Sequence, residues 1–178
     1  YVCQNIIGGG WGGRPFEDGV SSAVSMCQGD VKNTPIELQE LYYPLLYECH
    51  ALRPDSGGAG KFRGGNGVEV RVKALENCFM SRNTDRIKCP PWGLLGGAAA
   101  LVNETRIERG GKDEQLPGKF SQMQIHPGET VTFFTAGGGG YGAPGERKVA
   151  AVARDVALGY LSQQNARKYY PQAFSPKS

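Results

Sequence analysis

The sequence has few of the residues on which catalytic and metal chemistry usually depends. It holds two histidines, His50 and His126, in 178 residues. Neither has a second His, Cys or carboxylate at ligand spacing, so this chain by itself is expected to bind no metal. Five cysteines, Cys3, Cys27, Cys49, Cys78 and Cys89, are odd in number and include no C-x-x-C pair. That argues against a disulfide framework or a zinc knuckle and for a reducing, cytoplasmic setting. No apolar run approaches the roughly 18 residues of a spanning helix, and no basic-then-apolar leader opens the chain. The net charge of +3 comes from 20 Lys and Arg against 17 Asp and Glu, with no block of one sign. Neither nucleic acid nor a membrane is a predicted partner.

Nucleotide signatures are also incomplete. Gly8, Gly10 and Gly13 fit G-x-G-x-x-G, but Arg14-Pro15-Phe16-Glu17-Asp18-Gly19 reads as a turn where a dinucleotide fold opens a helix. Around Gly57-Gly58-Ala59-Gly60-Lys61, Asp55 and Phe62 stand where a phosphate loop needs glycine and a hydroxyl. Ser56 lacks both the G-x-S-x-G frame and a partner histidine, and reads as a loop serine bonding its own backbone.

What the chain has is glycine, 27 residues without collagen periodicity. A length of 178 residues allows one ordinary domain. The fold class expected is mainly β (α+β). Residues 1–145 read as a glycine-rich β domain with a short helix near 35–43, and 146–178 as a helical segment packing on it. Tyr1 to Ile7, Leu45 to Leu52, Cys78 to Ser81, Ala98 to Asn103, Phe120 to Ile125 and Thr130 to Thr135 are extended candidates. Val68, Val70, Val72 and Ala74 alternate with polar residues as in a sheet strand wet on one side. His126-Pro127-Gly128-Glu129 suits a hairpin turn. Thr34-Pro35-Ile36-Glu37 offers a capping box for a helix holding Ile36, Leu38, Leu41 and Tyr42 and ending near Tyr43 before Pro44. Val149, Val152 and Val156 recur at helical spacing, with Arg154 and Asp155 pointing elsewhere and Gly159 as a stop. Ser162 caps a last helix, which Pro171 closes. Ser175 to Ser178 read as a loose tail.

Two clusters are candidate sites. Gly137, Gly138, Gly139, Gly140, Tyr141 and Gly142 form either an anion-binding nest of consecutive N–H groups or a flexible turn. Arg53, Lys61 and Arg63 surround Asp55, Ser56, Gly57 and Gly58, and either converge on a carboxylate or phosphate or are ordinary surface charges.

The motifs Gly8-Gly9-Gly10-Trp11-Gly12, Asn33-Thr34-Pro35-Ile36-Glu37, Leu52 through Gly60, Phe62-Arg63-Gly64-Gly65, Pro91-Trp92-Gly93-Leu94 and Gly137 through Gly142, in that order, resemble the C-terminal part of the hydantoinase B/oxoprolinase family. The resemblance implies part of a B-type catalytic subunit that opens cyclic amides with ATP. It also implies two partners, a hydantoinase A-type ATP-binding subunit and the preceding part of the B-type chain. The alternatives it leaves open are an ATP-dependent ketone carboxylase and a non-catalytic assembly module. ATP and a divalent metal are then expected elsewhere in the complex, no cofactor in this chain, and no activity from the chain alone. Substrate- or intermediate-binding loops fall on Arg53, Asp55, Ser56, Gly57, Gly58, Arg63 and Gly137 through Tyr141. The start at Asn33 looks closer to the hydantoinase branch, and Ala143 stands where the family often has an acid.

Overall fold

The computed structural model describes residues 2–24 and 32–174; Tyr1, Cys27 and the tail from Ser175 to Ser178 lie outside the described residues. Strands β1 (Leu45–Leu52), β2 (Val68–Ala74), β7 (Thr130–Phe134), β4 (Glu104–Arg109) and β5 (Lys112–Gln115) form an antiparallel sheet in that order. Strands β3 (Cys78–Asn83) and β6 (Lys119–Ile125) pair separately. The helices are α1 (Ile36–Tyr42), α2 (Val149–Ala157) and α3 (Gln163–Tyr169). The fold is mainly β with a helical end, the class expected.

Two apolar clusters hold it. Ala74, Ile107, Leu116, Ile125 and Val131 are buried with Met80, Phe120, Met123 and Phe133 against them, joining residues of both sheets. Ala59, Val152, Ala166 and Tyr170 form the second cluster, which fastens α2 and α3 to the glycine region. As expected, Val68, Val70 and Ala74 point inward from β2, Gly159 ends α2 at φ +72, and the Ser162 side chain accepts from the Asn165 N–H at the start of α3.

Several expectations are corrected. Residues 2–7 are not a strand: the Asn33 side-chain amide takes both the N–H and the carbonyl of Ile6, at 3.1 and 2.7 Å, supplanting a ladder partner. Pro35 is the N-cap of α1, which has no side-chain cap bond. Leu38, Leu41 and Tyr42 are exposed, and Gln39 turns inward instead. Its Oε1 accepts from Tyr47 Oη at 2.6 Å and from Asn5 Nδ2 at 2.8 Å, and its Nε2 donates to the Thr34 carbonyl at 2.6 Å. Burial, with Cys3 nearby, pushes the Tyr47 phenol up to about 12.

The turn His126 to Glu129 exists, with Gly128 at φ +87, but it carries the chain from the small sheet to the large one rather than closing a hairpin. A hairpin that is not among the expected elements is β4–β5. There Gly110 and Gly111, at φ +53 and +75, make the two-residue turn in which both central residues are left-handed.

The glycine-rich segments form neither helix nor ladder, and this explains why Ala98 to Asn103 is not a strand. The run 136–141 is bonded on three sides, each repeating at the third residue. The Gly10 and Gly13 N–H groups donate to the Ala136 and Gly139 carbonyls at 2.9 and 2.8 Å. Those of Gly138 and Tyr141 donate to Gly65 and Phe62, both at 2.9 Å, and those of Gly137 and Gly140 to Leu101 and Ala98 at 3.3 and 3.0 Å. Ala98 and Leu101 in turn donate to Ala59 and Ser56 at 2.7 and 2.9 Å.

A period of three is that of a polyproline-II-type helix, which has no internal hydrogen bonds and directs its backbone groups outward. Such segments lie here backbone against backbone, leaving no room for side chains. A Cβ on Gly64 would fall on the Gly138 carbonyl, and one on Gly138 on the Trp11 carbonyl.

Candidate functional site

One face of this bundle is open. A cleft of about 390 Å³ lies against Gly9, Gly10, Gly12 and Gly137 to Gly139, with Arg86, Trp92 and Asn103 on its rim. The threefold period explains the opening. On the cleft face the Ala136 N–H donates to Asn103 Oδ1 at 2.8 Å. One turn further along, the N–H of Gly139, a buried residue that lines the cleft, has no acceptor among the described residues.

Asn103 also fixes the loop that carries Arg86. Its Nδ2 donates to the Asp85 carbonyl at 2.8 Å and its backbone N–H to the Arg86 carbonyl at 3.0 Å. Arg86 has a left-handed backbone, φ +56, and its guanidinium lies 5.0 Å from the centre of the Trp92 ring. Among the described residues it has no carboxylate partner.

The sequence candidates separate into different places. Gly137, Gly138 and Gly139 line the cleft, while Gly140 and Tyr141 are bonded into the bundle. No nest forms, because the threefold twist sends successive N–H groups to different partners. Arg53, Lys61 and Arg63 do not converge on a common anion. Arg53 donates to the Val102 carbonyl at 2.8 Å and pairs with Glu104 at 3.7 Å; burial pushes it below the ordinary guanidinium range, with Glu104 opposing. Lys61 pairs with Glu146 at 3.0 Å.

Arg63 pairs with Asp155 at 3.2 Å and stacks on Tyr160. Asp55, at φ +61, accepts the Ser162 N–H at 2.8 Å. Ser56 is fully buried, donating to the Arg53 carbonyl at 2.6 Å and accepting the Gly67 N–H at 2.9 Å. Gly57 takes Asn66 Oδ1 on its N–H at 3.0 Å, and the Gly58 N–H donates to Gly138 at 2.8 Å. Asp55, Gly57 and Arg63 border a small void beside α3, separate from the cleft.

The apolar stripe of α2 predicts Asp155 on the opposite face, yet it is 4% exposed. Standing three residues after Val152 it shares the buried face, where Arg147 meets it at 2.7 Å. Burial works against the charge on Arg147, but Asp18 and Asp155 outweigh it and hold the guanidinium above its ordinary range.

Among the described residues no three His, Cys, Asp or Glu side chains come together as metal ligands. His126 Nδ1 lies 3.1 Å from Asn77 Oδ1, His50 is exposed on β1, and Cys3, Cys49, Cys78 and Cys89 are unpaired. No helix among the described residues is long and apolar enough to cross a membrane.

Residues 1–144 match the family model described as hydantoinase B/oxoprolinase. The chain is 41% identical over 138 residues to an uncharacterized protein of Methanocaldococcus jannaschii, covering 78% of this chain and 24% of that protein. It is 33% identical over 172 residues to a Pseudomonas protein assigned as the B component of a D-/L-hydantoinase, covering 96% and 29%. The crystal structure of ATP-dependent caprolactamase from Pseudomonas jessenii superposes with a TM-score of 0.78 at 28% identity, over 97% of this chain and 30% of that one. The chain thus spans about a quarter to a third of the length of these relatives. The hydantoinase relative is by its assignment one component of a larger assembly.

Proposed function

Because the chain belongs to the hydantoinase B/oxoprolinase family, we propose that it is the C-terminal part of a B-type catalytic subunit in an ATP-dependent enzyme that opens cyclic amides, and that its glycine cleft lines the reaction site. The observation that carries this reading is the cleft itself, inside the region the family model covers. Its wall is bare backbone, because a Cβ on Gly10, Gly137, Gly138 or Gly139 would fall on a neighbouring backbone segment. The likeness to an ATP-dependent caprolactamase, whose name denotes a cyclic amide as substrate, supports the reaction class.

In this reading Gly137, Gly138 and Gly139 meet the ligand. Arg53, Asp55, Ser56, Gly57, Gly58, Arg63, Gly140 and Tyr141 hold the wall in place from behind. A hydantoinase A-type partner supplies ATP binding, and the preceding part of the B-type chain supplies a divalent metal, for which the described residues of this chain offer no ligand set. The unpaired cysteines fit a cytoplasmic enzyme.

The test is reconstitution of the subunit carrying this chain with an A-type partner, following ATP-dependent ring opening of a lactam or hydantoin by product release. The reading expects turnover from the complex and none from either component. Ring opening by the isolated chain, or by the complex at an undiminished rate without ATP, contradicts it.

A further inference from the structure

We propose that the cleft binds an oxyanion, a carboxylate or a phosphate, between the Arg86 guanidinium and the Gly139 N–H. The inference deepens the preceding reading, on which it rests for the cleft being the reaction site, by naming the chemistry of what enters there. It starts from donors that the fold leaves unused. A backbone N–H of a buried residue without an acceptor is rare because its desolvation is not repaid, and the N–H of Gly139, a buried residue on the wall of the cleft, has none among the described residues. The neighbouring position on the same face, Ala136, is satisfied by Asn103, whereas Gly139, a buried residue, is left without an acceptor among the described residues.

Arg86 supplies the charge. A guanidinium stacked by its face on an aromatic ring keeps its edge N–H groups free to grip two oxygens at once. The Arg86 guanidinium carbon lies over the Trp92 ring, 5.0 Å from its centre, and no carboxylate among the described residues pairs with it. The other polar side chains of the cleft are committed to the fold. Asn103 spends its amide on Asp85 and Ala136, and Thr135 Oγ1 donates to the Gly8 carbonyl while accepting from Val68.

The backbone adds an independent sign. Arg86 sits at φ +56, a conformation uncommon outside glycine that persists where its surroundings impose it. Asn103 imposes it, holding the Asp85 and Arg86 carbonyls on either side of the Arg86 Cα. The loop is thereby fixed with its cation at the rim of the cleft whose wall Gly139 lines. A metal cation would be repelled by Arg86, and a neutral ligand would leave the guanidinium without an opposite charge.

The experiment is calorimetric titration of the full-length subunit at low ionic strength with inorganic phosphate and, separately, with acetate. Each titration is run on wild type, Arg86→Gln, Arg86→Lys and, as a control for general surface charge, Lys88→Gln. Arg86 and Lys88 are both exposed, and unchanged thermal unfolding verifies that the variants fold. Saturable one-to-one binding of at least one anion is expected in wild type. It should weaken roughly tenfold to hundredfold in Arg86→Gln, the range for loss of a charge-assisted hydrogen bond, weaken less in Arg86→Lys, and hold in Lys88→Gln.

Tighter phosphate binding assigns the site to a phosphorylated ligand, and tighter acetate binding to a carboxylate. Absence of saturable binding by either anion, equal binding by Arg86→Gln and wild type, or an equal loss in Lys88→Gln overturns the proposal. Ring opening is read separately on the same preparations. Anion binding without turnover by the reconstituted enzyme counts against the proposed function and leaves this inference standing.

Discussion

Arg147 grips Asp18 through two parallel hydrogen bonds, Nη1 to Oδ1 and Nη2 to Oδ2, both 2.7 Å, across 129 positions of sequence. The same guanidinium reaches Asp155 at 2.7 Å, so it joins an early turn, the glycine bundle and α2. Its side chain is 3% exposed. Removing one partner of a buried ion pair costs about 3–5 kcal/mol because the remaining charges are stranded. Arg147→Met should therefore lower unfolding free energy by that amount in urea titration, and a loss under about 1 kcal/mol, the scale of an exposed pair, would show that the network contributes little.

The Asp18 end of the network has a pH signature. Burial alone raises its pKa, but the Arg147 hydrogen bonds and charge, with Arg63 behind them, bring it below the ordinary 3.8. A carboxylate depressed in the folded state stabilises the fold above its unfolded pKa, and that contribution is lost as pH falls through the folded value. The stability gap between wild type and Asp18→Asn should be constant from neutral pH to about pH 5 and shrink below about pH 4. A gap independent of pH down to about pH 2 would contradict the assignment.

The bundle predicts a contrast between two glycines. Gly64→Ala places a methyl on the Gly138 carbonyl, whereas Gly145→Ala meets nothing within 4 Å and needs no left-handed backbone. The first should cost more than about 3 kcal/mol, beyond ordinary overpacking because backbone must yield. The second should stay within about 0.5 kcal/mol of wild type. Equal stabilities in thermal unfolding would remove the backbone-on-backbone account.

Ser56 is a structural hydroxyl in this account, not a nucleophile. Ser56→Ala orphans the Gly67 N–H inside the fold, an expected loss of about 1–3 kcal/mol. The reconstituted enzyme should keep its turnover per folded molecule. Turnover abolished with the fold intact would reverse that assignment.

Local periodicity makes much of the frame readable. The alternation of Val68 through Ala74, the helix that carries Val152 and Val156, and the stop at Gly159 each depend on neighbours along the chain and are found as read, whereas Val149 of the same stripe is exposed and Asp155 takes a place on the buried face. The β4–β5 hairpin is also within reach of the pattern: Thr105 and Ile107 alternate with charges up to Gly110-Gly111, but the surrounding charge masks it. The site is less legible. A period of three in glycine leaves no side-chain pattern, so the bundle and its cleft emerge only from hydrogen bonds between distant segments. Arg86 lies in no motif and is significant only through Asn103 and Trp92. Arg63, prominent beside its glycines, is instead drawn inward by Asp155, which helical spacing after Val152 would have placed on the buried face.

The most direct test of the cleft as the reaction site is Gly12→Leu in the reconstituted enzyme. Gly12 is exposed and lines the cleft, and a Cβ there meets the Gly139 carbonyl oxygen at 3.7 Å, an ordinary contact. The leucine should therefore fill the cleft without displacing backbone. We predict unchanged thermal stability and assembly, with kcat/KM for ATP-dependent ring opening reduced at least about tenfold, which corresponds to about 1.4 kcal/mol of transition-state stabilisation. Wild-type kcat/KM in an assembled Gly12→Leu enzyme would contradict the account.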